Sequence, residues 1–313
     1  DKEFDDPAFI DLSEVLSPPV LFLCLVPFMA IFGTYLVNFH HNNIILMLML
    51  AVIAIVALLI ASDRLIPKNL YPLAVFIIAL SLLYHRSLIS MYLWGWDIHL
   101  ELYNSNLVME YLKWDMAIPG AVNAMLSIVM LAPIYSIICS MSITWIFKIF
   151  YPVLFAFVPL GLYRVFQKQT NDKIAFLSCF FFVSFFTFYT EMLALARQQI
   201  AELFLVLLVM LMVDKNTDKA KLSFLFIVFS ISLAVSHYGL SYIYMFCLIT
   251  VWLILLAGEN QAVQRLMSNI CSKFSSKRKR TDDNPVHLKM DRKISSTFVL
   301  IFVIFTMEWY MFV

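Results

Sequence analysis

The sequence predicts an all-α integral membrane protein of about nine transmembrane helices, with one long outer loop that contains interfacial helices. Three observations lead there. Hydrophobic residues make up 62% of the 313 and charged residues only 14%, whereas soluble domains are roughly half apolar and about a quarter charged. The apolar residues gather in runs near the roughly 20 that a helix needs to cross a hydrocarbon core. The Lys and Arg residues are segregated along the chain, and their bias across short loops sets the orientation of membrane helices.

Residues 1–17 are acidic and lack the basic start of a cleavable signal peptide, so they read as a cytosolic N-terminal segment. Residues 18–90 hold three spans. Pro18–Phe39 turns at His40-His41-Asn42-Asn43, Ile44–Ser62 ends at Asp63-Arg64, and Asn69–Ile89 delivers the chain to Trp94-Gly95-Trp96. Tryptophans at the end of a span are interfacial anchors. Residues 91–145 form the outer loop. Within it, Trp96–Trp114 mixes Asp97, Glu101, Glu110 and Lys113 with Ile98, Leu102 and Met109, the pattern of an amphipathic interfacial helix. Ile118-Pro119-Gly120 breaks it.

Ala121–Ile143 is apolar, and its assignment decides the topology. As a span it would put Arg164, Lys168 and Lys173 outside; as a re-entrant or interfacial segment it puts them inside, which the positive-inside bias favours. Five spans then fill 146–258, a basic cytosolic loop follows over 259–293, and a last span runs through 294–313. Of the 22 Lys and Arg, 18 fall on the inner side and four do not: Arg86, Lys113, Lys148 and Arg197. The product is a multi-pass protein of the cell membrane, with the N-terminus and the basic loop cytosolic. The chain opens on Asp1 rather than Met and its last apolar run stops at Val313, which reads as a fragment or a processed form.

Composition and motifs also exclude. Five cysteines stand without a CxxC pair, four of them in apolar segments, which points to buried free thiols. No Walker A or Gly-rich dinucleotide loop is present, so no nucleotide cofactor is expected. Lys277-Arg278-Lys279-Arg280 reads as a membrane-side positive anchor near anionic headgroups, not as a nucleic-acid site.

The candidate chemistry lies on the outer side. Asp97 and Glu101 are four apart and share a helix face. They suit a divalent cation, or a general base acting on a hydroxyl; equally they suit a solvated polar face. His99 points away from them. Arg197 heads a span, beside Gln198, where it either snorkels to the interface or binds an anionic group such as phosphate. Glu202 lies one turn further on, where pairing with Arg197 would account for it. His237 and Tyr238 stand in a short outer turn. With Asp97 and Glu101, His237 could complete a metal site.

Trp94–Glu101 (WGWDIHLE), Met125–Ser136 (MLSIVMLAPIYS), Ser142–Leu162 (SITWIFKIFYPVLFAFVPLGL) and Val235–Ile243 (VSHYGLSYI), with Asp5–Leu12 (DDPAFIDL), are similar to an archaeal multi-pass membrane family of unknown function. The order of pieces resembles the GT-C superfamily of polytopic glycosyltransferases, although the acidic loop follows the third span here rather than the first. The resemblance implies an enzyme, with a lipid-linked sugar as donor and membrane lipids as its surroundings. The sugar would move from a polyprenyl phosphate to an unidentified acceptor, with inversion. Asp97 would be the catalytic carboxylate and Glu101 its helper or a metal ligand. Arg197 and His237 would be phosphate-binding residues, with Gln198, Tyr238 and His99 near the substrate. The alternatives are a transporter or flippase of lipid-linked sugars, and a structural membrane subunit.

Overall fold

A computed structural model of the chain describes residues 16–259 and 296–313. Most of the acidic opening segment, the basic loop with Lys277–Arg280, and Cys271 lie outside the described residues. The described chain is helical throughout, with no strand, and divides into two units, Asp1–His237 and Tyr238–Phe312.

In the first unit, α1 (Pro18–His40) and α2 (Ile44–Ala61) form a hairpin, and α3 (Tyr71–Ser87) follows a single 3-10 turn. Gly33 lets the hairpin close: a Cβ there would lie 2.5 Å from the Leu46 side chain. Small residues at such crossings let membrane helices approach. The interfacial helix of the sequence reading is α4 (Asp97–Tyr111), and the ambiguous apolar segment is the short α5 (Leu126–Cys139). α6 (Ile143–Gln169) is the longest helix, and α7 (Asp172–Ser184) follows it directly. α8 (Ala196–Val213) and α9 (Lys219–Ala234) complete the unit. The second unit is α10 (Tyr238–Glu259) with α11 (Ser296–Phe312), joined by the Tyr244–Phe302 ring contact at 5.3 Å and by Trp252 Nε1 donating to Ser296 Oγ at 2.9 Å.

Six helices among the described residues are long and apolar enough to cross a membrane: α1, α2, α3 with its leading turn, α6, α8 and α10. The count falls short of nine for three local reasons. The expected span Ile174–Tyr189 breaks after Ser184. The chain then bends by 65° into a short helical segment, Phe186–Ala194, and the count is seven if that bent pair is one span. At the break Phe185 is extended, and Ser184 Oγ donates back to the Phe180 carbonyl, the local competition that bends helices. α9 and α11 have 16 and 17 residues, below the usual span length.

The hydrophobic core of the unit is built by α1, α2, α3, α6 and α7, around Leu23, Met49, Tyr71, Ile78, Phe155 and Phe176. Polar contacts mark its two ends. At one end, Lys173 pairs with Asp63 at 2.8 Å and Lys168 with Asp214 at 2.9 Å, joining loops that the charge bias assigns to a single side. At the other end, Asn38 Nδ2 donates to the Leu88 carbonyl while its Oδ1 accepts from the Ser90 N–H, so α1 pins the loop that leads into α4.

α6 carries a π-helical turn, Ile146–Phe150, just before Pro152. Proline has no N–H to give the carbonyl four residues back, and here that is Lys148. The freed carbonyl is satisfied from α3, where Ser87 Oγ donates to it at 2.9 Å. Widened turns of this kind gather at functional sites.

Candidate functional site

The site is assembled on a second, smaller apolar cluster: Ile98 of α4, Ile128 and Ala132 of α5, Ile143, Ile146, Phe147 and Tyr151 of α6, and Ala196 and Ile200 of α8. Hydrogen bonds seat α4 and α6 on α5. Ser105 Oγ donates to the Ile128 carbonyl at 3.2 Å, and the Tyr151 hydroxyl donates to the Ser127 carbonyl. The buried face of α4 therefore runs Ile98, Glu101, Ser105, at helical spacing.

That face gives Asp97 and Glu101 different environments. The Glu101 side chain is wholly buried, while that of Asp97 is 50% exposed. Glu101 Oε1 accepts from Arg197 Nη1 at 2.8 Å, and Oε2 accepts from the Ala196 N–H at 2.9 Å. Ala196 is the first residue of α8, whose N-cap, Leu195, has no polar side chain with which to cap it. Glu101 therefore supplies the cap from another helix, its carboxylate at the positive end of the α8 dipole. The Arg197 guanidinium also donates, through Nη2, to Asp97 Oδ2. One arginine, itself almost fully buried, thus ties both carboxylates to the head of α8. Its Nε has no hydrogen-bond partner among the described residues. Burial pushes the Glu101 carboxyl up, and the charge of Arg197 and the N–H groups of α8 pull it back down.

Gly95 brings the two contributing segments together. Its φ of +124° is open to glycine at little cost, and a Cβ there would lie 2.4 Å from the Ala194 Cβ. Beside this contact is a cleft of about 460 Å³, lined by Trp94, Gly95, Trp96, Asp97, Glu191, Ala194 and Leu195.

His237 belongs to the same neighbourhood. The Ser236 carbonyl accepts from Ser127 Oγ of α5 at 3.4 Å. Burial and the charge of Arg197 lower the His237 pKa to about 4, against a weaker upward pull from Asp97. Four of the sequence-derived candidates, Asp97, Glu101, Arg197 and His237, are therefore brought together.

Other expectations are corrected. Arg197 does not simply snorkel to the interface: it is buried, and both of its terminal nitrogens donate to carboxylates. Glu202 does not pair with Arg197; it accepts from Gln198 Nε2 at 2.9 Å, which engages Gln198 as well. His99 is exposed, on the opposite side of α4 from Glu101. Tyr238 begins the second unit and packs there on Tyr310, ring centroids 6.3 Å apart. Asp97 and Glu101 both face Arg197 rather than forming a metal set with His237. Among the described residues no group of three or more His, Cys, Asp or Glu is placed to hold a metal ion.

Four residues have parts that the sequence did not assign: Glu101 as a helix cap, Glu191 in the cleft lining, and Arg86 and Lys148. The last two carried a signal, as two of the four cations that the charge bias leaves on the other side from the rest. Arg86 Cζ lies 4.5 Å above the Trp94 ring. Lys148 is buried, and its Nζ donates to the carbonyls of Tyr92 at 3.0 Å and Ile89 at 3.4 Å.

Comparison with known proteins finds one partial similarity. Residues 222–313 match a family model described as a predicted membrane protein, DUF2206. No curated protein and no solved structure matches the chain. The matched part takes in His237 and Tyr238 and leaves out Asp97, Glu101 and Arg197, so what the comparisons establish is similarity to a membrane-protein family over the last stretch of the chain.

Proposed function

We propose that this chain is a membrane glycosyltransferase of the GT-C kind, moving a sugar from a polyprenyl-phosphate donor to an acceptor hydroxyl at the outer membrane face. The observation that carries the reading is the division of labour between the two carboxylates. Glu101 is sealed in and holds Arg197; Asp97 is held by that same arginine yet stays half exposed on the wall of a cleft. A volume of about 460 Å³ lies within the roughly 300–1,000 Å³ range of small-molecule sites. Trp94 and Trp96, both exposed, line the cleft, and indole rings are suited to stacking on a sugar.

In the proposed step, one Asp97 oxygen keeps its bond to Arg197 and the other accepts the proton of the acceptor hydroxyl. The hydroxyl oxygen bonds to the anomeric carbon as the bond from that carbon to the lipid phosphate breaks. The configuration inverts, and the phosphate leaves with the bonding electrons. Nine spans suit this reading if the bent α7 segment, α9 and α11 each cross. The N-terminus and the basic loop would then be cytosolic, and the site would open outward.

A second reading has one observation in its favour. Transporters use discontinuous helices, and the 65° bend after Ser184 is one. The test is transfer by the full chain in lipid from a panel of lipid-phosphate sugars, with and without chelator. Asp97→Asn keeps the shape and the contact with Arg197 but cannot take the proton, and transfer is expected to fall by at least about a hundredfold. Undiminished transfer in that variant refutes the mechanism. Movement of a lipid-linked sugar across vesicles without transfer establishes the second reading instead.

A further inference from the structure

Beside the Asp97 cleft, and sharing only Trp94 with it, is a narrow pocket lined by Arg86, Ser87, Tyr92, Trp94, Phe147 and Lys148, among others. We propose that this pocket binds an anionic oxygen of a phosphate ester, with Lys148 at its inner wall and Arg86 at its mouth.

The inference starts from charge balance. Lys148 is 3% exposed, and neither it nor Arg86 forms an ion pair with a carboxylate among the described residues. An ammonium taken out of water is costly unless a counter-charge accompanies it. Two of its three N–H groups reach the carbonyls of Ile89 and Tyr92; the third remains for an acceptor. The position of Lys148 is itself built. It lies in the π turn before Pro152, with its own carbonyl held by Ser87 Oγ at 2.9 Å.

Arg86 supplies the second charge. Its guanidinium rests on the Trp94 ring, which orients the plane while leaving the N–H fork available. An arginine and a lysine converging on one small space make a strong receptor for a tetrahedral oxyanion. Size narrows the ligand. The pocket holds about 30 Å³, a little more than the roughly 10–15 Å³ that one water needs on the same measure. A sugar ring is excluded; one phosphate oxygen enters, and the rest of the ligand stays in the adjoining cleft or in lipid. A lipid phosphate and free phosphate share this chemistry.

The site does not depend on Asp97 acting as a base. The test uses the full chain in an uncharged detergent, titrated with dodecyl phosphate, dodecanol or inorganic phosphate in a calorimeter. Dodecyl phosphate should bind and dodecanol should not. Binding of inorganic phosphate with equal affinity identifies free phosphate as the source; a clear preference for dodecyl phosphate identifies a lipid. Arg86→Gln should weaken binding roughly tenfold, and Lys148→Met should weaken it further. Since Lys148 also holds two carbonyls, Arg86→Gln, which leaves them untouched, keeps the test decisive if Lys148→Met misfolds. No phosphate binding by the wild type, or unchanged affinity in Arg86→Gln, overturns the proposal. Loss of transfer in Asp97→Asn bears on the transferase reading alone, and loss of phosphate binding in Arg86→Gln bears on this one alone.

Discussion

Glu101 accepts a hydrogen bond from the Arg197 guanidinium across 96 positions of sequence, and with its other oxygen it caps the helix whose second residue is Arg197. The carboxylate is fully buried and the arginine nearly so. Removing one member of such a pair leaves an uncompensated charge, whereas the pair as a whole can be close to neutral against an apolar replacement.

Arg197→Met should therefore destabilise the protein by about 3–5 kcal/mol. Glu101→Gln, which keeps an acceptor for the Ala196 N–H, should cost less. The double variant should lose clearly less than the sum of the two, as coupled residues do. Chemical unfolding of all four proteins in the same detergent checks this, and strict additivity would rule the coupling out.

Gly95→Ala should cost more than an ordinary loop substitution. It places a methyl against Ala194 and asks an L-residue to hold a φ of +124°, a strain of roughly 1–3 kcal/mol. Since the contact lies on the Asp97 cleft, the variant should also lose transfer. A melting temperature equal to wild type would show that the 94–97 and 191–196 segments are not held together there.

His237 gives a pH signature. Its pKa is lowered from 6.5 to about 4, so the folded state resists protonation that the unfolded state accepts. The stability tied to this group is present above pH 6.5 and is lost as the pH falls through about 4. NMR titration of labelled histidine should find His237 neutral at pH 6. In Arg197→Met its pKa should rise only in part, because burial is the larger cause. An ordinary value in the wild type would refute this environment.

How much of this was legible in the sequence depends on what each residue's neighbours had to say. Helix positions followed from apolar runs: α1, α2, α6, α8 and α10 lie where hydropathy puts them. A helix within Trp96–Trp114 with one buried face followed from its mixed pattern. The break after Ser184 was not legible, because Phe180–Phe186 is as apolar as any span. At the site, sidedness was enough to group Asp97, Arg197 and His237. It could not separate Asp97 from Glu101, because a shared helix face leaves open which residue turns inward. That depends on Ile98 and Ser105 packing on α5, a contact between segments far apart in the chain. Arg86 and Lys148 were visible as misplaced cations, but their convergence requires the π turn of α6, which a proline suggests only once the carbonyl it frees is known to meet Ser87.

The 96-residue separation of Glu101 from Arg197 also has a meaning in time. At synthesis rates of about 5–20 residues per second, Glu101 leaves the ribosome roughly 5–20 s before its arginine does. For that interval the inner face of α4 carries a carboxylate with neither counter-ion nor helix end to receive it. Asn38, Leu88 and Ser90 precede it in the chain, so the loop ahead of α4 can settle early while α4 itself waits. It can seat only once α8 arrives, so by order of emergence the cleft forms after α1 to α7 have been made.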